Sequence, residues 1–194
     1  MSFLSKLLGQ RQQKERVTKI TVDAPFRIAN PIIGFVCVTP SQVPLMEADR
    51  ATLGPLFHEC CSSTTAITRC HVLFLYCHLQ PDGSLPNVKE SVRDFIEASG
   101  ARIAVLASEN EAKHCFAAVR AKNDWPANIV LVLNRKGDRF ALFFHRLFEA
   151  MIGGTSMLME WVKLAPQMPG LDHPDCPVSI LLPEVGHLTL DGRD

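Results

Sequence analysis

The sequence has no excess of charge. Its 20 Lys and Arg balance 20 Asp and Glu over 194 residues, for a net charge of zero at pH 7. A general nucleic-acid binder carries a basic surplus to neutralise phosphates, so no nucleic-acid partner is expected. No apolar run approaches the roughly 20 residues that span a bilayer as a helix, so no transmembrane segment is expected. The phosphate loop G-x-x-x-x-G-K-[ST], the fingerprint G-x-G-x-x-G and the nucleophile elbow G-x-S-x-G are all missing. Nucleoside-triphosphate hydrolysis and dinucleotide redox chemistry therefore have little support, and no cofactor is expected. Seven cysteines are present but no C-x-x-C pair. An odd count in a chain of this length does not suggest a disulfide framework. It suggests free buried thiols in a reducing compartment, and a cytoplasmic location is expected. Internal repeats and low-complexity segments are also missing.

What remains is ordinary globular material, 47% hydrophobic and 21% charged. That composition and length suit one domain with a sizeable core. Residues 1–16 look like an appendage helix, residues 17–186 like a single α/β domain, and residues 187–194 like a frayed tail. In the appendage, Phe3, Leu4, Leu7 and Leu8 fall at helical spacing. Two readings stay open for it: loose packing on the domain, or docking on a membrane surface or partner through Phe3 and Leu7.

Within the domain, strand and helix patterns alternate. Val17 to Val22 alternates like an edge strand, and Ile32 to Val38 is apolar throughout. Glu47 to Cys61 reads as mainly helical, with Gly54-Pro55 as a kink or restart. A strand ends at Cys77. Asn87 is placed to cap a helix over Val88 to Ala98, with Gly100 closing it. A strand over residues 102–107 leads into a helix over 109–122. Asn128 to Leu133 is the next strand, and Gly137-Asp138 starts an apolar helix from Arg139 to Ile152. After the Gly153-Gly154 break, Thr155 or Ser156 caps a helix to about Leu164. Val178 to Leu182 is the last strand. Continuous apolar strands between helices imply a mostly parallel sheet of five to six strands with helices on both faces.

Cysteine and histidine are repeated neighbours, as in His58 with Cys60 and Cys61, Cys70-His71, Cys77-His78 and His114-Cys115. Adjacent strand residues point to opposite faces, so each such pair on a strand offers at most one ligand to one site. No metal site is expected. The stripe Phe140, Phe143, Phe144, Leu147, Phe148 and Met151 has helical spacing and reads as a core helix. Its breadth leaves Phe143, Phe144 and Phe148 open as a partner surface.

Two strands end on residues a hydrolase uses. His71 to Cys77 delivers His78, and Arg102 to Ala107 delivers Ser108 and Glu109. Carboxyl ends of neighbouring parallel strands share the edge where ligands bind. His78 is a candidate base and Ser108 a candidate nucleophile, with Asp82, Gly83, Glu109 and Asn134 as candidate cleft-edge residues. A structural reading competes, because a Ser before Glu-Asn-Glu also has the form of a helix N-cap.

The order of these features resembles the CHAT domains of the caspase-like cysteine peptidase clan. Leu75-Tyr76-Cys77-His78-Leu79 stands where that family has a strand ending in His-Gly. Leu106-Ala107-Ser108-Glu109-Asn110 stands where it has Ala-Cys-Glu-Thr. The Phe-rich run 140–151, the Gly153-Gly154-Thr155-Ser156 break and His173-Pro174 before Val178 follow in the family's order. The resemblance covers roughly residues 30–186 and rests on order and spacing. It implies a caspase-like three-layer sandwich.

It also exposes two departures. Leu79 replaces the glycine after the histidine, and Ser108 replaces the nucleophilic cysteine. A hydroxyl is not ionised near neutral pH, so a thiol site carrying serine loses most of its activity. The resemblance thus implies an impaired enzyme acting as an interaction or regulatory module in a bacterial signalling or defence assembly, with Ser108 either native or a replaced cysteine. Its partner would be another protein or a peptide segment, and a homo-oligomer is allowed. The alternatives are a hydrolase using His78 with Ser108, and a Rossmann-like domain binding a small ligand or nucleotide.

Overall fold

Strands that are apolar on both faces must be covered on both faces, and this chain covers them. The computed structural model describes residues 26–64, 66–120, 124–137, 139–165 and 177–191. Its strands are β1 (Phe26–Ile28), β2 (Ile32–Cys37), β3 (Glu59–Ser63), β4 (Val72–Tyr76), β5 (Ile103–Leu106), β6 (Asn128–Asn134), β7 (Val178–Leu182) and β8 (Leu188–Leu190). Its helices are α1 (Val43–Leu53), α2 (Val92–Ser99), α3 (Ala112–Val119), α4 (Arg139–Ile152) and α5 (Met157–Leu164). The main sheet has the order β3-β2-β4-β5-β6-β7. All neighbours are parallel except β7, which runs antiparallel to β6.

The period-two alternation of the central strands feeds two separate cores. Phe35, Phe74, Val105 and Val130 point to one face, where α1, α4 and α5 supply Met46, Leu53, Phe140, Phe144 and Trp161. Leu73, Leu75, Ala104, Leu106, Ile129 and Leu131 point to the other, against Phe95 and Ile96 of α2 and Cys115 of α3. The result is a three-layer α/β sandwich with a six-stranded, mostly parallel sheet. Among the described residues, no helix is long and apolar enough to cross a membrane.

The partner-surface reading of the Phe stripe is corrected. Phe143, Phe144 and Phe148 are fully buried. Phe144 meets Phe74 of β4 edge-on at 5.3 Å between ring centroids, and Phe143 meets Trp161 of α5 at 5.3 Å. A sandwiched helix buries a broader arc than a surface helix, which is why the stripe is wide. Phe3, Leu7, the edge-strand pattern at Val17 to Val22, and His173-Pro174 lie outside the described residues.

Several boundaries differ from the pattern reading. Helix α1 starts earlier and stops at Leu53, because Gly54–Leu56 tightens into a 3-10 turn around Pro55. The residues after it form β3, an outer strand whose Glu-Cys-Cys-Ser-Ser sequence carries no apolar signal. Asn87 does not cap α2. Ser91 does, in a capping box with Asp94, and Gly100 closes the helix in the left-handed region at φ 77°. Helix α3 is shorter than 109–122 and begins after Glu111. Residues 188–191 do not fray. Leu188 and Leu190 are fully buried, and β8 pairs in parallel with β1, sealed by an Arg27–Asp191 ion pair.

His71 joins the start of β4 to β2. Its Nδ1 accepts the Ile32 N–H at 3.0 Å, and its backbone N–H donates to the Ile32 carbonyl at 2.9 Å. Burial holds this imidazole below its ordinary value, so the neutral acceptor form is the native one. A lowered folded value means that the stability it contributes is present above the ordinary imidazole range and is lost as pH falls through the folded value.

Two outcomes are expected. Leu188→Ala lowers stability by about 2–5 kcal/mol, read as a shift of the urea midpoint, whereas a frayed tail would leave the midpoint in place. Acidification from about pH 7.5 to about 5 lowers the urea midpoint more in the native chain than in His71→Asn, whose amide oxygen keeps an acceptor that binds no proton.

Candidate functional site

The chain crosses from β2 to β3 on one side and then to β4 on the other. The carboxyl ends of β2 and β4 therefore diverge into a crevice, the place where open α/β sheets bind ligands. A cavity of about 520 Å³ lies there, with Gln42, Asp49, His78, Ser108, Glu109 and Arg135 in its walls and Leu45 and Ala141 as apolar lining. The two residues at the strand ends thus do share one cavity.

They do not bond each other directly. Ser108 is buried at 1% exposure, and its Oγ accepts the Cys77 N–H at 2.8 Å. The same hydroxyl donates to Oε1 of Gln42. The amide end of that carboxamide, Gln42 Nε2, lies 2.7 Å from Nε2 of His78 and 3.3 Å from its Nδ1. The shorter contact is a bond from the amide to the ring. His78 is held further by its backbone N–H, which donates to Thr39 Oγ1 at 3.1 Å. A carboxamide therefore stands between the candidate nucleophile and the candidate base. Ser108 is not the cap of α3 either, because Glu111 holds that position.

Asn110 ties the two strand ends together. Its Oδ1 accepts the Leu79 N–H at 2.7 Å, and its Nδ2 donates to the carbonyls of Cys77 at 3.0 Å and Ser108 at 3.2 Å. Leu79, where the resembled family has glycine, packs into the α2–α3 core.

Below the crevice sits a buried ion pair. The Arg135 guanidinium reaches both oxygens of Asp49 at 3.0 and 2.8 Å and the Ala107 carbonyl at 2.6 Å. Its carbon lies 3.7 Å over the Phe140 ring centroid. The Tyr76 hydroxyl donates to Asp49 Oδ2 at 2.6 Å. Burial pushes the Asp49 carboxyl upward, opposed by the Arg135 charge and the Tyr76 hydroxyl. Burial and the neighbouring carboxylate push the Tyr76 phenol well above its ordinary range, so it stays a donor. Glu109 belongs to the same wall, accepting the backbone N–H of Arg135 at 2.9 Å.

The remaining expected cleft residues do other work. Asp82 is exposed and accepts the Ser84 N–H at 2.9 Å, a bond that holds its carboxyl below the ordinary range. Gly83 sits at φ 83°, where an added Cβ would meet the Ala118 nitrogen of α3 at 2.2 Å. It lets the loop touch that helix and does not face the cavity. Asn134 accepts the Lys136 N–H at 2.8 Å and shapes a turn outside the lining.

No described cysteine lines the cavity. Burial pushes Cys77 up to about 12 and Cys115 up to about 11, so both stay protonated at neutral pH. Among the described residues, no three His, Cys, Asp or Glu side chains gather as a metal would require.

Sequence reasoning gave no site role to Gln42, Asp49, Tyr76, Asn110 or Arg135. One signal was available. Met46, Asp49 and Leu53 fall at i, i+3 and i+7, so a carboxylate lies on the buried stripe of α1 and needs a buried cation. No local pattern announces Gln42.

No family model matches this chain, and neither a curated protein nor a solved structure does.

Removing one partner of a buried pair leaves an uncompensated charge. Arg135→Met alone is expected to cost about 3–5 kcal/mol in urea unfolding. Adding Asp49→Leu recovers part of that loss, so the double-mutant cycle shows coupling rather than additivity.

Proposed function

We propose that this chain is a caspase/CHAT-like domain without peptidase activity, which holds a peptide segment of a partner protein in the crevice at the carboxyl edge of its sheet. The observation that carries this reading is the Gln42 carboxamide between Ser108 and His78. A serine nucleophile needs a base within hydrogen-bond reach to take its proton. Here the hydroxyl hydrogen is given to an amide oxygen, and the imidazole receives an amide hydrogen. Ser108 is also shielded from any substrate carbonyl. The cavity supports binding, because it is concave and mixes apolar lining with converging polar groups. A cytoplasmic, bacterial signalling or defence assembly belongs to the same proposal, as does self-association.

The test has two arms. The native chain is treated with a fluorophosphonate and Ser108→Cys with a peptidyl electrophile, and adducts are located by mass spectrometry. No adduct at position 108 is expected in either. An adduct there that disappears in His78→Gln would establish a hydrolase instead. In the second arm, a displayed peptide library is expected to enrich segments on the native chain that Leu45→Arg, in the cavity wall, no longer holds. Enrichment indifferent to Leu45→Arg would remove the cavity from the proposal.

A further inference from the structure

The Gln42 carboxamide has a donor end and an acceptor end, and each faces a group that can reverse its role. Nε2 of Gln42 donates toward His78 Nε2 at 2.7 Å, which makes that ring nitrogen an acceptor and leaves the proton of the neutral ring on Nδ1. Oε1 accepts from Ser108, whose Oγ already accepts the Cys77 N–H. The three side chains form one directed chain, Ser108 to Gln42 to His78. A proton arriving on His78 Nε2 would set two donors against each other at 2.7 Å.

We infer that protonation of His78 turns the Gln42 carboxamide over and releases the Ser108 hydroxyl hydrogen, so that the cavity wall responds to acid. The balance is simple. His78 Nε2 takes one proton from solvent, and no covalent bond between heavy atoms changes. After the turn, Oε1 accepts the new Nε2–H of His78, and the Gln42 amide donates to Ser108 Oγ. That oxygen then accepts from both Cys77 and Gln42, which fills its two lone pairs. Its own hydrogen leaves the Gln42 oxygen. The acid state thus adds a positive charge to one wall, at the exposed His78, suited to a carboxylate-bearing ligand.

The other ionisable groups of the lining are already committed. Asp49 on α1 is held by Arg135 and Tyr76, and Arg135 beyond β6 is held by Asp49 and the Ala107 carbonyl. Glu109 beyond β5 accepts the Arg135 N–H. The Cys77 thiol lies in the α2–α3 core, and Asp82 in the following loop is taken by the Ser84 N–H. His78 itself is exposed, so a proton reaches it without unfolding. The inference goes beyond the binding proposal and stands whether or not a peptide occupies the cavity.

The test is a titration of the ¹⁵N-labelled full chain by NMR from about pH 8 to about pH 5. Three signals are followed: the His78 ring nitrogens, the Gln42 side-chain amide and the Cys77 backbone amide. All three are expected to move on one curve. In Gln42→Leu the His78 ring still titrates while the Cys77 amide stays still. In His78→Gln, an exposed substitution, the Gln42 and Cys77 signals lose their response. A Gln42 amide that stays fixed while His78 titrates would overturn the inference. So would a Cys77 amide that follows His78 in Gln42→Leu, because the coupling would then bypass the carboxamide.

Discussion

Arg135 is the constraint on which the crevice depends. It is a buried cation at the carboxyl end of β6, and it is satisfied by parts of the chain that are far apart in sequence. Asp49 brings α1 to it, the Ala107 carbonyl brings the end of β5, and the Phe140 ring brings the start of α4. Tyr76 at the end of β4 completes the cluster through Asp49. Each of these groups would be costly to bury alone. Together they hold the strand ends in one relative position. They also fix what comes before α1. Gln42 directly precedes that helix, so the anchor that seats Asp49 also delivers the carboxamide between Ser108 and His78.

This division explains what was legible in the sequence. Central strands are read from composition, because both faces of β4 and β5 must be apolar, and their runs are unmistakable. Helix α4 was legible to its ends, because Gly137 precedes it and Gly153 follows it. The meeting of His78 and Ser108 at one edge followed from parallel topology alone. Strand β3 was not legible, because an outer strand has one neighbour and its polar sequence shows no period. Strand β8 was hidden for a related reason. Three residues carry too little pattern to oppose the expectation that a terminus frays, and its pairing with β1 is set by tertiary contact.

Gln42 shows a different limit. Its role arises from three elements meeting: the turn before α1, the end of β4 and the residue after β5. No spacing within the chain encodes that meeting. Family resemblance does not supply it either, since it carries over only positions matched to a motif. The resemblance directs attention to His78 and Ser108, and the structure adds the group that separates them.

That separation bears on why serine stands at position 108. The Oγ serves two bonds at once, receiving the Cys77 N–H and giving its hydrogen to Gln42. A hydroxyl suits both, being a strong donor and acceptor at short range. A thiol is weak in each role and larger, so a cysteine here would leave the Cys77 N–H and the Gln42 oxygen poorly satisfied in a buried setting. Unmet polar groups in such a place cost more than the bonds themselves contribute. Ser108 is therefore matched to its surroundings as a structural hydroxyl.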